Sequence, residues 1–329
     1  MLTNEQGSGV EVRVRKHYLL LAHDQPQHVG RLVERLDDGE SSFWLHLDPR
    51  VDDEAWRSVL AHPCVVSVEP RVACLWGTWS MVEATLAMVR TCLDSGTPGH
   101  LVMLSGQSYP VKSNQHIDAY LAAHADVVHM DLWALEERWP DNYRDRLDYF
   151  CLPRSEAKGD LRLLRRRQEM NLRELAGWTR RLVRESGPRE ALDVLRTIGQ
   201  QRPDVAHLVV GGSQWWAMPF DVAEQMLEFH GRYPDYADFL RWSQFPDESF
   251  FQTLLVNMDP SIRDRVAPSL TFVDWTEGDW DLPRAFGVGD LPSLLALPDH
   301  ALFARKFLHP AATEVLDALD SAADHEGAR

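Results

Sequence analysis

The sequence is short of cysteine, short of positive charge and without a long apolar run. Its four cysteines, Cys64, Cys74, Cys92 and Cys151, form neither a C-x-x-C pair nor a dense framework. That argues against a disulfide scaffold and predicts reduced, mostly buried thiols. Lys and Arg number 34 against 50 Asp and Glu, a formal net charge of -16. No nucleic-acid partner is expected, because phosphate backbones call for clustered cations. No apolar stretch approaches transmembrane length, and the start "MLTNEQGSGVEVRVRK" lacks the apolar core of a signal peptide. A soluble, cytoplasmic chain is expected. G-x-G-x-x-G and G-x-x-x-x-G-K-[ST] are also missing, which argues against a dinucleotide fingerprint and a P-loop.

What is present is an alternation. The 329 residues, 44% of them hydrophobic, suffice for the core of one large α/β domain or of two small ones. "HYLLLAH", "SFWLHLDP", "CVVSVE", "GHLVMLSG" and "ADVVHMD" read as strands. The first is a continuous apolar run, as in a strand buried on both faces. Between them, "PQHVGRLVERLDD" has helical spacing through Val29, Leu32, Val33 and Leu36, and "VDDEAWRSVLAH" starts on helix-opening acids. "TWSMVEATLAMVRTCLDSG" reads as a long helix with a Ser80–Glu83 capping box and a Gly96 stop. Strand–helix alternation with short links predicts a doubly wound, mostly parallel sheet, with ligands beyond the carboxyl ends of the strands. The expected organisation is a flexible 1–16, a single domain over 17–317 and a flexible 318–329. Residues 154–202 carry thirteen Lys/Arg against seven Asp/Glu and read as a basic helical insertion packed by Leu163, Leu164, Leu172, Leu175 and Leu182. A solvated excursion, an acceptor-binding flap and a peripheral dock to an anionic inner membrane face all remain open for it.

Several residues carry potential chemistry. Asp48 ends a buried strand, where a carboxylate can accept hydrogen bonds from a base or ribose. With His46, and with His23 and Asp24, it also offers an incomplete metal set, which keeps a metal-dependent hydrolase or phosphoesterase as an alternative. Trp76, Trp79, Trp215, Trp216, Trp275 and Trp280 fall near loops and turns; indoles stack on sugars and bases, and also anchor cores. In "GGSQWW" the glycines permit close backbone approach. Arg284, Arg305 and Lys306 are cations that can neutralise a departing diphosphate. "FPDESFFQTLL" places Asp247 and Glu248 before an apolar helix, where acids complement the helix dipole.

Eight collinear pieces resemble the core-2/I-branching β-1,6-N-acetylglucosaminyltransferase family, which includes peptide O-xylosyltransferases. They are "YLLLAHDQPQHVGRLVERL", "FWLHLDPR", "WGTWSMVEATLAMV", "HLVMLSGQSYPVKS", "GGSQWWAMP", "PDESFFQTLLVNM", "VDWTEG" and "ALFARKF". The resemblance covers residues 17–150 and 207–308. It implies a GT-A-type fold and inverting, metal-independent transfer of GlcNAc or xylose from a UDP-sugar donor. The recipient would be an acceptor hydroxyl on a glycan, glycolipid, peptide or small molecule. It also implies Glu248 as general base, with Asp48, Trp76, Arg284 and Lys306 binding UDP and Trp275, Gln214 and Trp215 on the acceptor side. The usual acid of "SGQD-P" is Ser108 here, which keeps a non-catalytic sugar-binding module open. Animal members are membrane-anchored and disulfide-rich, so the pattern resembles a bacterial cytoplasmic relative.

Overall fold

The computed structural model of the protein describes residues 14–276, 278 and 281–327; Trp280 lies outside them. The strands are β1 Lys16–Ala22, β2 Ser41–Leu47, β3 Val65–Ser67, β4 His100–Ser105, β5 Ser108–Pro110 and β6 Val128–His129, then β7 Tyr149–Pro153, β8 Leu161–Arg165, β9 Ala217–Pro219, β10 Val266–Ala267, β11 Thr271–Val273 and β12 Phe303–Arg305. Among the described residues, seven of them make one sheet in the order β10-β6-β9-β4-β1-β2-β3. The pairs β1–β2, β1–β4, β2–β3 and β6–β10 are parallel, and β9 runs antiparallel between β4 and β6. A small sheet, β11-β12-β5, flanks it. The fold is α/β with a large, mostly parallel central sheet, consistent with a GT-A-like glycosyltransferase architecture.

Side chains alternate across a strand, so a sheet covered on both faces must bury both sets. Tyr18 and Leu20 of β1 pack with Val29, Leu32, Val33 and Leu36 of the helix Pro26–Leu36 and with Val315, Leu316 and Leu319 of the last helix. Leu19 packs into the opposite layer with Val82, Leu86 and Val89 of the helix Ser80–Asp94 and with Phe250, Phe251 and Leu254. Among the described residues, no helix is long and apolar enough to cross a membrane.

The ends and the insertion differ from expectation. Strand β1 already opens at Lys16, whose buried ammonium bonds Asp38 and Asp118. Residues expected to fray from 318 continue the helix Thr313–Gly327; Asp320 holds it by accepting from Arg31, Arg35 and Tyr109. Ser80 forms no capping box, because its hydroxyl accepts the Leu75 N–H at 2.8 Å and shapes the preceding turn. The basic stretch opens not as a helix but as the β7–β8 hairpin, where Phe150 pairs with Leu164 and Cys151 with Leu163. Phe150 and Leu164 bury with Leu182, Val194 and Ile198 in a satellite core. Only then follows the helix Leu172–Thr197, broken at Gly187 before Pro188. Leu172 is solvent-exposed rather than packed.

Candidate functional site

The site gathers beyond the carboxyl ends of β1, β2 and β4, and its first element is a single tight turn. Phe245 adopts a left-handed conformation at φ 51°, and Pro246–Glu248 form one 3-10 turn. The helix Phe250–Met258 then starts after Ser249. Asp247 and Glu248 thus precede the helix rather than occupying its first turn. The cation that faces Glu248 is Arg146. Its Nη2 donates to Glu248 Oε2 at 2.9 Å, with 7% of the Arg146 side chain and 28% of the Glu248 side chain exposed.

Arg146 is locked from several sides. Its guanidinium lies 3.6 Å from the Trp139 ring centroid and 5.1 Å from that of Phe245, and it donates to the Gln244 and Phe245 carbonyls. Burial pushes the Glu248 carboxyl above its ordinary range, while the Arg146 cation pulls it back. Burial and the adjacent Glu248 charge push Asp247 up too, and among the described residues its Oδ1 has no hydrogen-bond partner. The result is a carboxylate that is partly desolvated, held in place and open on one side. A general base needs those properties.

The Gly-Gly segment supports this turn from below. Gly212 N–H donates to the Glu248 carbonyl at 2.8 Å. A Cβ at Gly212 would overlap the Asp131 carbonyl oxygen and stand 2.8 Å from Gln252 Nε2. The close approach expected of these glycines is therefore made by the protein's own backbone. Gly212→Ala is expected to cost about 1–3 kcal/mol as an overpacked site, and to lower turnover by displacing Glu248. Thermal melts beside a turnover assay check both.

At the end of the same segment, Trp215 is buried, with the Arg305 guanidinium 4.4 Å from its ring centroid. Gln214 Nε2 is buried without a partner among the described residues. Among the described residues, neither Arg305 nor Lys306 makes a side-chain hydrogen bond or ion pair. Burial lowers both, Arg305 to about 10; Lys306 is lowered further by the charges of Lys158 and Arg305. Arg284 differs. It bonds Asp274 at 2.6 Å and Asp290 at 2.7 Å, so two carboxylates balance its charge and it ties the loop after β11 to the chain before residue 291. Phe286 N–H, two residues on, donates to the Lys306 carbonyl. Trp275, 49% exposed, stands on that loop.

Trp76 reaches the same neighbourhood from β2's side. Asp48 is buried, and its oxygens accept from Arg50 Nε and Nη2, both at 2.7 Å, and from the Cys74 N–H at 2.9 Å. These bonds hold its carboxyl down at about 2. Asp48 thus anchors the loop carrying Trp76, and its acceptor sites are already occupied by protein donors. Trp76, 45% exposed, packs edge-on against Phe245 with centroids 4.7 Å apart. Gly77 makes this possible: its φ is +78°, and a Cβ there would lie 2.8 Å from Phe245 Cε1. A continuous set of contacts therefore runs from Trp76 through Phe245 and Arg146 to Glu248.

The alternative metal set is not brought together. His46 Nε2 accepts the Val72 N–H at 2.9 Å, Asp48 is engaged as above, and His23 is exposed. Among the described residues, the group with metal-ligand spacing is Asp37, His62 and Cys64, at the amino ends of β2 and β3. Ser108, standing where an acid is usual, is fully buried and bonded to Ser105, so its hydroxyl completes the turn after β4. The residue that sequence reasoning missed is Arg146. It lies in no recognisable motif, and 102 residues separate it from Glu248.

A family model described as Core-2/I-Branching enzyme matches residues 18–291. No curated protein matches the chain.

Proposed function

The chain belongs to the Core-2/I-branching enzyme family and is thereby a glycosyltransferase acting on a sugar donor and an acceptor; from that premise we propose an inverting transfer from a UDP-sugar to a hydroxyl, with Glu248 as general base. The observation that carries this is the Arg146-held carboxylate of Glu248, which shares one framework with two unpaired cations. Within a single segment, Gly212 touches Glu248 and Trp215 touches Arg305. Glu248 takes the proton of the acceptor hydroxyl while that oxygen attacks the anomeric carbon. The bond from that carbon to the β-phosphate oxygen breaks on the opposite side. Lys306 and Arg305 hold the charge that develops on the phosphate, a task on the scale of one oxyanion donor, about 2.7–4 kcal/mol. Trp76 offers a face to the base, Asp48 fixes its loop, and Arg284 fixes the loop carrying Trp275 on the acceptor side. Gln214 Nε2, buried and unpartnered, is a donor for a sugar hydroxyl.

Fixed cations in place of gathered acids fit catalysis without a divalent ion. His46 and Asp48 do not fit a metal site, because protein donors already occupy their acceptor atoms. UDP-GlcNAc and UDP-xylose are the two donors proposed. Protein incubated with each, a panel of hydroxyl acceptors and excess EDTA is expected to release UDP. Lys306→Ala is expected to weaken UDP binding about tenfold or more, as loss of a charge-assisted bond does. Turnover abolished by EDTA and restored by manganese would overturn the metal-free reading. Unchanged UDP affinity in Lys306→Ala would remove the diphosphate assignment.

A further inference from the structure

The β7–β8 hairpin ends in the exposed turn 154–160, which lies against Trp76. The Gly159 backbone lies against the indole, with a projected Cβ 3.5 Å from its Cζ3. Lys158 Nζ stands 5.3 Å from the same ring centroid. Leu161, at the start of β8, reaches Gly77, where its Cδ1 lies 3.0 Å from a projected Cβ. Both acids of the turn are already matched: Asp160 pairs with Arg154 at 2.9 Å, and Glu156 pairs with Arg50 at 3.2 Å. Among the described residues, Lys158 makes no hydrogen bond or ion pair.

This is an unusual use of charge in a chain with 50 acids and 34 Lys+Arg. Among the described residues, Lys158, Arg305 and Lys306 are cations without a carboxylate ion-pair partner, and the charges of Lys158 and Arg305 both act on Lys306. Asp281 acts on Lys306 in the opposite sense, without a bond to it. Like charges brought together without paired acids repel, and a bound anion relieves that repulsion. Trp76 beneath Lys158 supplies a π-face on which the ammonium rests while its N–H donors stay available.

We propose that Lys158 is a third diphosphate-binding residue, and that the hairpin tip is a clamp joining the nucleotide face at Trp76 to the phosphate cations at Arg305 and Lys306. The insertion at 154–202 is then a working part of the donor site, tied to the sheet by the Arg50 bridge between Asp48 and Glu156. This rests on the nucleotide-sugar reading above, and the test separates the two. Binding of uridine, UDP and inorganic pyrophosphate is measured by calorimetry for wild type, Lys158→Ala, Lys158→Arg and Lys306→Ala, beside thermal melts. Lys158→Ala should lose about tenfold or more for UDP and pyrophosphate, the scale of one charge-assisted bond, with uridine affinity and melting temperature unchanged. Lys158→Arg should recover most of the loss.

Unchanged UDP and pyrophosphate affinity in Lys158→Ala, with loss in Lys306→Ala, would overturn the clamp and leave the diphosphate site standing. An equal loss for uridine would also overturn it, by showing that Lys158 acts only through Trp76 packing. Wild type that binds neither UDP nor pyrophosphate would remove the donor reading itself.

Discussion

Glu248→Gln is expected to lower turnover by about 10²–10⁴-fold, the range general-base catalysis supplies, while leaving UDP affinity unchanged. The amide is nearly isosteric and still accepts from Arg146 Nη2, so the turn keeps its shape. What disappears is the ability to receive the acceptor's proton. The nucleotide contacts proposed above lie on other elements, at Trp76, Arg305 and Lys306, so binding and chemistry should separate. Turnover near wild type with the glutamine in place would contradict the assignment. A parallel loss of UDP affinity would show that the substitution had disturbed the framework from Trp76 through Phe245.

Arg146→Met is expected to have the second-largest effect, and on two readouts. Removing one member of a buried ion pair costs about 3–5 kcal/mol, although Glu248 is partly exposed and the lower end applies. Because the Arg146 cation lowers the Glu248 carboxyl, its loss raises that carboxyl further. A base works only when ionised, so activity that falls on acidification should then fall at higher pH in the variant than in wild type. Arg146→Lys keeps the charge but loses the planar stack on Trp139 and the two carbonyl bonds. It should therefore recover the pH profile better than the stability. Thermal melts and kcat/KM across pH distinguish these outcomes.

The division between what was legible in the sequence and what was not follows the range of the interactions. Buried strands such as Tyr18–Leu20 and Leu101–Leu104 announce themselves as apolar runs, because a sheet covered on both faces leaves few polar positions. Asp52 and Asp53 read correctly as helix-opening acids; Asp52 accepts the Glu54 N–H. The basic insertion misled because Leu161, Leu163 and Leu164 among arginines satisfy a helical spacing and a strand alternation alike. Pairing with Phe150 and Cys151 decided it for the strand.

The candidate site divides in the same way. Local pieces, such as the Pro246–Glu248 turn and the Arg305–Lys306 pair, stand out in the chain. Their partners do not. Arg146 reaches Glu248 across 102 residues, and Arg284 is matched by Asp274 and Asp290, a pairing that spacing does not reveal. Asp48 looks like a free strand-end carboxylate until Arg50 and Cys74 are seen to fill its oxygens.

The most direct measurement is turnover against pH for wild type and Glu248→Gln under identical conditions with saturating donor. A base at 248, raised by burial, predicts a wild-type acidic limb above the ordinary glutamate range, and residual glutamine activity without that limb. A limb persisting at the same pH in the glutamine protein would place the proton acceptor elsewhere.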